Sequence, residues 1–295
     1  MTPELTAVII PLVGGQALVE CIDAVRRQGV RAIVVGDDAP EIDGVTNISG
    51  GRQTIPQRRQ AGVRTADTEI VALLEDTTIP GPSWGAAIRA GFSDPHIGAI
   101  GGPVAIADDL TTQCMALGYC EYGRFQPNCF ADLSDGTRTA GGLVAVQSLP
   151  GNNFAFRRAE LCTVLDSLDA GLIDGEVFDG LTRSGRMLAY HPDMTARYVQ
   201  PHPQGASLAT RFQHGRHFGG RRPAGRSAMA RWGFVLAMPA LPLVLTWRTL
   251  KQLPNDRRSR LPLLGWILVM HCAWAAGEAV GYLAGAGCHS LRRWR

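Results

Sequence analysis

Three sets of carboxylates stand where this chain could do chemistry. Asp37 and Asp38 follow one short apolar run, Glu75 and Asp76 follow another, and Asp174 with Glu176 opens a third polar stretch. Hard carboxylates are the ligands a divalent cation such as Mg or Mn selects, and a single shielded carboxylate can take a proton from a hydroxyl. The same residue types also build Asx turns and cap helices, so Asp37, Asp38 and Asp174 each carry a plain structural reading as well. Arg59 and Arg216 are the cations to set beside them, because a guanidinium pairs bidentately with phosphate oxygens. Arg216 fits lipid contact equally well, since it lies in a basic stretch.

The elements that must position these residues alternate in type. Residues 7–11 (AVIIP) and 32–35 (AIVV) read as strands, with apolar residues at helical spacing over 16–28 between them. A helix opens near Pro56, proline being favoured in the first helical turn, and leads to a strand at 70–74. A helix over 84–92, a strand over 97–104, helices near 113–122 and from Arg158, a helix over 176–184 ended by Gly185, and a strand over 187–190 complete the pattern. Such β-α-β order predicts an α/β fold with a mostly parallel central sheet, whose ligands bind beyond the carboxyl ends of the strands. The three acidic sets fall at or near those ends. The first strand runs into Pro11-Leu12-Val13-Gly14-Gly15-Gln16, which lacks the G-x-G-x-x-G of a dinucleotide site, and no P-loop is present.

The ordered set of segments resembles the family 2 glycosyltransferases of the GT-A fold, in their membrane-associated branch. "IIPLVGG" stands at that family's first strand and turn, "VVGDDAP" at its nucleotide-contacting acid, and "RRQAGVRTADTEIVALLEDT" at the helix leading to its D-x-D metal motif. "GNNFAFRRAEL" is similar to its acceptor-side segment, "IDGEVFDGLTRSG" to the segment that begins with Glu-Asp, and "FQHGRHFGG" to its Q-x-x-R-W loop. The likeness covers about residues 5–222. Three positions depart from it: the acid triplet reads Glu75-Asp76-Thr77, the Glu-Asp pair reads Ile173-Asp174, and the Q-x-x-R-W pattern keeps Gln213 and Arg216 but has His217 for its Trp.

The resemblance implies an inverting glycosyltransferase that moves a sugar from a nucleotide-diphosphate donor to a lipid-linked or glycan hydroxyl. It places Pro11, Asp37, Asp38, Arg59, Glu75, Asp76, Asn153 and Arg216 around the donor, and Glu75 with Asp76 on a Mg or Mn ion. Chemistry agrees: a departing diphosphate needs its charge neutralised, and the attacking hydroxyl needs a base on the opposite face of the sugar. Asp174 is the expected base, with Glu176 in reserve. Two other readings stay open, a non-catalytic membrane subunit that keeps the fold and a nucleotidyltransferase.

Charge divides the chain. Residues 206–295 hold 14 Lys and Arg against Asp256 and Glu278, a net +12, which leaves −9 for residues 1–205. The basic residues flank two apolar stretches, 232–247 and 261–287, so anionic membrane lipid rather than nucleic acid is the expected partner. The second stretch is long enough to cross a bilayer, whereas the first is short and carries Pro239 and Pro242, which predicts a segment that dips in and returns, packed against the second. Gly277, Gly281 and Gly285 mark a face for close helix approach. Seven cysteines without a CxxC pair, and an opening that runs straight into a strand, predict a reducing compartment. The expected organisation is a catalytic domain (1–205) on the cytoplasmic side of the cell membrane, a basic collar (206–231) and a membrane anchor (232–295).

Overall fold

The structure, a computed structural model, describes residues 4–37, 39–127, 129, 136–139, 141–168, 171–200, 206–222, 227–253 and 257–287. Asp38, one of the expected donor residues, lies outside them, as do Arg226, Asp256 and the arginines at 292, 293 and 295. In chain order the first elements are β1 (Leu5–Ile10), α1 (Gly15–Arg26), β2 (Arg31–Val35), β3 (Val45–Ile48), α2 (Ile55–Thr65), β4 (Ile70–Glu75), β5 (Thr78–Pro80) and α3 (Trp84–Gly91). There follow β6 (Ile97–Gly101), β7 (Val104–Ile106), α4 (Thr112–Tyr122), β8 (Val144–Val146), β9 (Asn153–Arg157), α5 (Arg158–Leu165), α6 (Asp174–Arg183), β10 (Met187–Tyr190) and β11 (Ala196–Tyr198). The last are α7 (Ala206–Arg221), α8 (Ala228–Ala237), α9 (Leu241–Leu250) and α10 (Arg257–Ala284). They form two compact units, Met1–Ile106 with Phe125–Gln200, and Ala107–Arg124 with Pro201–Arg295.

The first unit is built on an eight-stranded sheet of order β3-β2-β1-β4-β9-β6-β10-β8. β3, β2, β1 and β4 run parallel, as do β6 and β10, while β9 is antiparallel to both its neighbours. β1 and β4 are buried at every position, as expected of central strands covered on both faces. β9 is a departure from the sequence reading, in which 151–156 only precede a helix: Phe154, Ala155 and Phe156 fill the middle of the sheet. The run 97–104, read as one strand, divides into β6 in the large sheet and β7 in a small sheet of order β5-β11-β7. Gly102 makes the step between them, because a Cβ there would run into Met194.

Close packing of α2 on the sheet explains the Arg-x-x-Gly pattern. A Cβ on Gly62 would collide with Val8 and crowd Val35, so glycine lets the helix lie directly on β1 and β2. Thr54 and Gln57 close a capping box at the start of α2, and Pro56 sits in its first turn. Arg59, one turn before Gly62, shares the buried face.

The second unit is helical. Among the described residues two helices are long and apolar enough to cross a membrane, Met229–Leu250 with 22 residues and Leu261–Ala284 with 24. The first corrects the expectation of a broken segment. Pro239 lies at the start of a short 3-10 turn, Met238–Ala240, and Pro242 in the first turn of α9, positions where a missing N–H costs little, so the chain stays helical throughout. At ~1.5 Å per residue it reaches roughly 33 Å, and the length argument against a full crossing falls. The glycine face also has a different partner from the one expected. Gly277 and Gly281 on α10 face the Phe212 and Arg216 backbone of α7, while Gly215 and Gly219 on α7 face Trp274 and Glu278 on α10. The Q-x-x-R-W-like segment is therefore part of a helix, not a loop.

Candidate functional site

The site is at the carboxyl end of β4. Asp76, fully buried, turns its carboxylate back onto the turn after β1: Oδ1 accepts from the Leu12 and Val13 N–H at 2.8 and 3.3 Å, and Oδ2 from Val13 and Gly14 at 3.0 and 2.6 Å. Gly14 at φ +74° and Gly15 at φ +56° give that turn the left-handed backbone it needs to aim successive N–H groups at one anion. Burial pushes the Asp76 carboxyl up, and these backbone bonds pull against it.

Glu75 takes another partner. Its Oε1 accepts from Arg59 Nη2 at 2.7 Å, and both side chains are 9% exposed. Arg59 Nη1 donates to Asp174 Oδ1 at 2.7 Å, and Nη2 also donates to the Gly151 carbonyl at 2.9 Å. One guanidinium thus joins β4, the turn before β9 and the start of α6. Asp174 is the first residue of α6; Ile173 holds the N-cap position and no side chain caps the helix, so the plain capping reading of Asp174 is not what its carboxylate does. The Asp174 side chain keeps 31% exposure. Burial raises its carboxyl above the ordinary value, and the Arg59 charge and hydrogen bond oppose the rise. A Cβ on Gly151 would strike Asp174 Oδ2, so this position needs glycine.

The remaining expected residues scatter. Asp37 is exposed beyond β2, where its Oδ1 accepts from Ser49 Oγ at 2.6 Å and the Gly51 N–H at 2.9 Å, and these bonds lower its pKa. Pro11 packs on Gly36, the residue before Asp37; a Cβ on that glycine would stand 2.8 Å from the proline ring. Asn153 is consumed by the fold, accepting from Trp84 Nε1 at 2.8 Å and donating to the Pro103 and Met194 carbonyls. Its neighbour Asn152, equally buried, donates to Thr78 Oγ1 at 2.7 Å. Glu176 lies in the first turn of α6, half-buried. Arg216 belongs to the second unit, where its Nε donates to the Gly285 carbonyl at 3.3 Å.

No family model matches this sequence, and no curated protein matches it. Among solved structures the chain is similar to GalNAc-T7 with UDP, GalNAc and Mn2+, at a TM-score of 0.50 and 13% identity over 68% of this chain and 44% of that one. It is also similar to the mannosyltransferase PcManGT from Pyrobaculum calidifontis in complex with GDP-Man and Mn2+, at 0.47 and 16% over 96% of this chain and 75% of that one. The fold is GT-A-like. This chain spans less than half the length of the first of these proteins.

Both of those structures hold Mn2+, which the family resemblance also implies for Glu75 and Asp76 here. In this chain both acids are already held by other partners. An ionised carboxylate has about four lone-pair sites, and backbone N–H groups take four contacts on Asp76. Glu75 is tied to Arg59, and among the described residues no three His, Cys, Asp or Glu side chains converge as a ligand set. A signal for this was present in the triplet itself: with Thr77 in third place, fully buried, the strand end has no carboxylate beyond the two already engaged.

Proposed function

We propose that this chain is a glycosyltransferase that moves a sugar from a nucleotide-diphosphate donor to a hydroxyl acceptor with inversion, and that Asp174 is its base. The observation that carries the reading is one carboxylate at the carboxyl end of a GT-A-like sheet, partly exposed, fixed on one oxygen by Arg59 and raised toward basicity by burial. A base of that kind takes the proton as the acceptor oxygen attacks the anomeric carbon, while the bond to the diphosphate breaks on the opposite face. Asp37, exposed at the end of β2, suits contact with the nucleoside. The helical unit supplies membrane attachment: the outward face of 229–247 presents Met229, Trp232, Leu236, Leu243, Val244 and Trp247, and Lys251 lies over the Trp247 ring at 3.6 Å, an arrangement suited to anionic lipid. We read the acceptor as lipid-linked or a surface glycan, and place the catalytic unit on the cytoplasmic side on the strength of the basic residues flanking the apolar segments.

The engaged state of Glu75 and Asp76 favours a second reading, a non-catalytic membrane subunit that retains the fold. Incubation of purified protein with a panel of UDP- and GDP-sugars separates the two. Release of nucleoside diphosphate that Asp174→Asn abolishes supports the enzyme. Absence of nucleotide-sugar binding supports the subunit, and release of pyrophosphate supports a nucleotidyltransferase.

A further inference from the structure

Arg59 was expected, from its residue type and place in the chain, to meet the donor's diphosphate. Its geometry serves something else. The guanidinium is a rigid planar fork, and its two terminal nitrogens meet three acceptors on three separate elements, Glu75 at the end of β4, the Gly151 carbonyl before β9, and Asp174 at the start of α6. The side chain is only 9% exposed and rises from the buried face of α2, whose depth on the sheet is set by Gly62. Turning the fork toward a phosphate would break the ion pair that two buried side chains, Arg59 and Glu75, make with each other, a costly change.

We propose that Arg59 is a positioning residue for the base: anchored by Glu75, it holds the Asp174 carboxylate in place, and it does not bind the donor. The inference rests on the reading of Asp174 as the base. Glu75 thereby acquires a role that needs no cation, orienting the fork that orients Asp174. The arrangement parallels the carboxylate that orients a catalytic imidazole, with the charges exchanged: an acid fixes a cation, and the cation fixes the reacting acid. Because Arg59 also opposes the effect of burial on Asp174, its removal acts on proton affinity as well as geometry.

The experiment compares wild type, Arg59→Gln, Arg59→Lys and Asp174→Asn as the full chain in detergent. Binding of UDP and of GDP is followed by calorimetry, and nucleoside diphosphate release from the panel sugars across pH. In Arg59→Gln, kcat falls about 10²-fold, as for a misplaced catalytic group. The acidic limb of the profile moves up by about one pH unit or more, because an opposite charge near Asp174 is gone. Nucleotide affinity stays at the wild-type value. Arg59→Lys, which keeps the charge and loses the fork, restores the limb while kcat stays low. If Arg59→Gln does not fold, the pair Arg59→Gln with Glu75→Gln removes the charges of both partners together and is read the same way. Lost UDP or GDP affinity with an unmoved limb overturns the proposal and returns Arg59 to the donor. A wild type that releases no nucleoside diphosphate, or an Asp174→Asn variant that still does, overturns the underlying assignment of the base instead.

Discussion

In the sheet unit, the acids at the end of β4 are held by partners that leave Asp174 partly open to solvent. In the helical unit, Glu278 is 2% exposed on α10 and surrounded by donors: Trp274 Nε1 at 2.8 Å, the Tyr282 hydroxyl, and the Arg222 guanidinium at 3.6 Å. Glu75, Asp76 and Glu278 are all buried, and each is held by donors. The difference is where the last carboxylate of the network faces. A network that ends on an accessible oxygen can exchange a proton with a substrate, whereas one whose carboxylate is closed off from solvent serves packing. Burial of charge alone therefore does not mark a reactive site; the exposed end does.

Four substitutions probe that contrast. The largest effect is expected for Asp174→Asn, with transfer down about 10³-fold and nucleotide binding retained in calorimetry. The wild-type profile should agree: the base works ionised, so activity falls as pH drops, with its acidic limb above the ordinary carboxyl value of 3.8 because burial raises the group. A limb at or below that value breaks the distinction between the two units. Next, Asp76→Ala strands the Leu12, Val13 and Gly14 N–H groups and should cost about 3 kcal/mol in urea unfolding, equally with Mn2+ and with EDTA. Destabilisation seen only when Mn2+ is present, or a protein-dependent Mn2+ signal in electron paramagnetic resonance that the variant loses, would restore a metal site at Asp76.

Smaller effects belong to the helical unit. Gly281→Ala puts a methyl against the Arg216 carbonyl and should lower stability by about 2 kcal/mol, read by thermal unfolding in detergent. Glu278→Gln keeps one oxygen to accept from Trp274 Nε1 and turns the Tyr282 hydroxyl into an acceptor of the amide N–H, and should cost about 1 kcal/mol with transfer unchanged. Loss of transfer in Glu278→Gln at full stability would give this acid a chemical task and erase the contrast.

The parts of this molecule that local pattern determines were legible in its sequence. The apolar runs ending in Asp37 and Glu75 correctly located β2 and β4, because a strand buried on both faces must be apolar and its polar end must stop it. β9 was missed because Asn152 and Asn153 resemble turn residues, and only the tertiary partners Thr78, Trp84 and Pro103 make their burial affordable. The bond between Arg59 and Asp174 joins residues 115 apart, and no spacing announces it. In the helical unit, Pro239 and Pro242 suggested a break that two helix-start positions absorb, and the glycines of α7 disguised a helix whose stability comes from the neighbour it touches.

That contact has a mechanical consequence. Gly215 and Gly219 on one helix, and Gly277 and Gly281 on the other, recur every four residues and mesh backbone to backbone. Teeth of this pitch allow no partial slide, because an intermediate register drives a carbonyl into a Cα. Any shift of α10 along α7 must advance by about one helical turn, roughly 5.4 Å, or not at all. An axial load on α10 would therefore reach α7 as a discrete click rather than a graded pull.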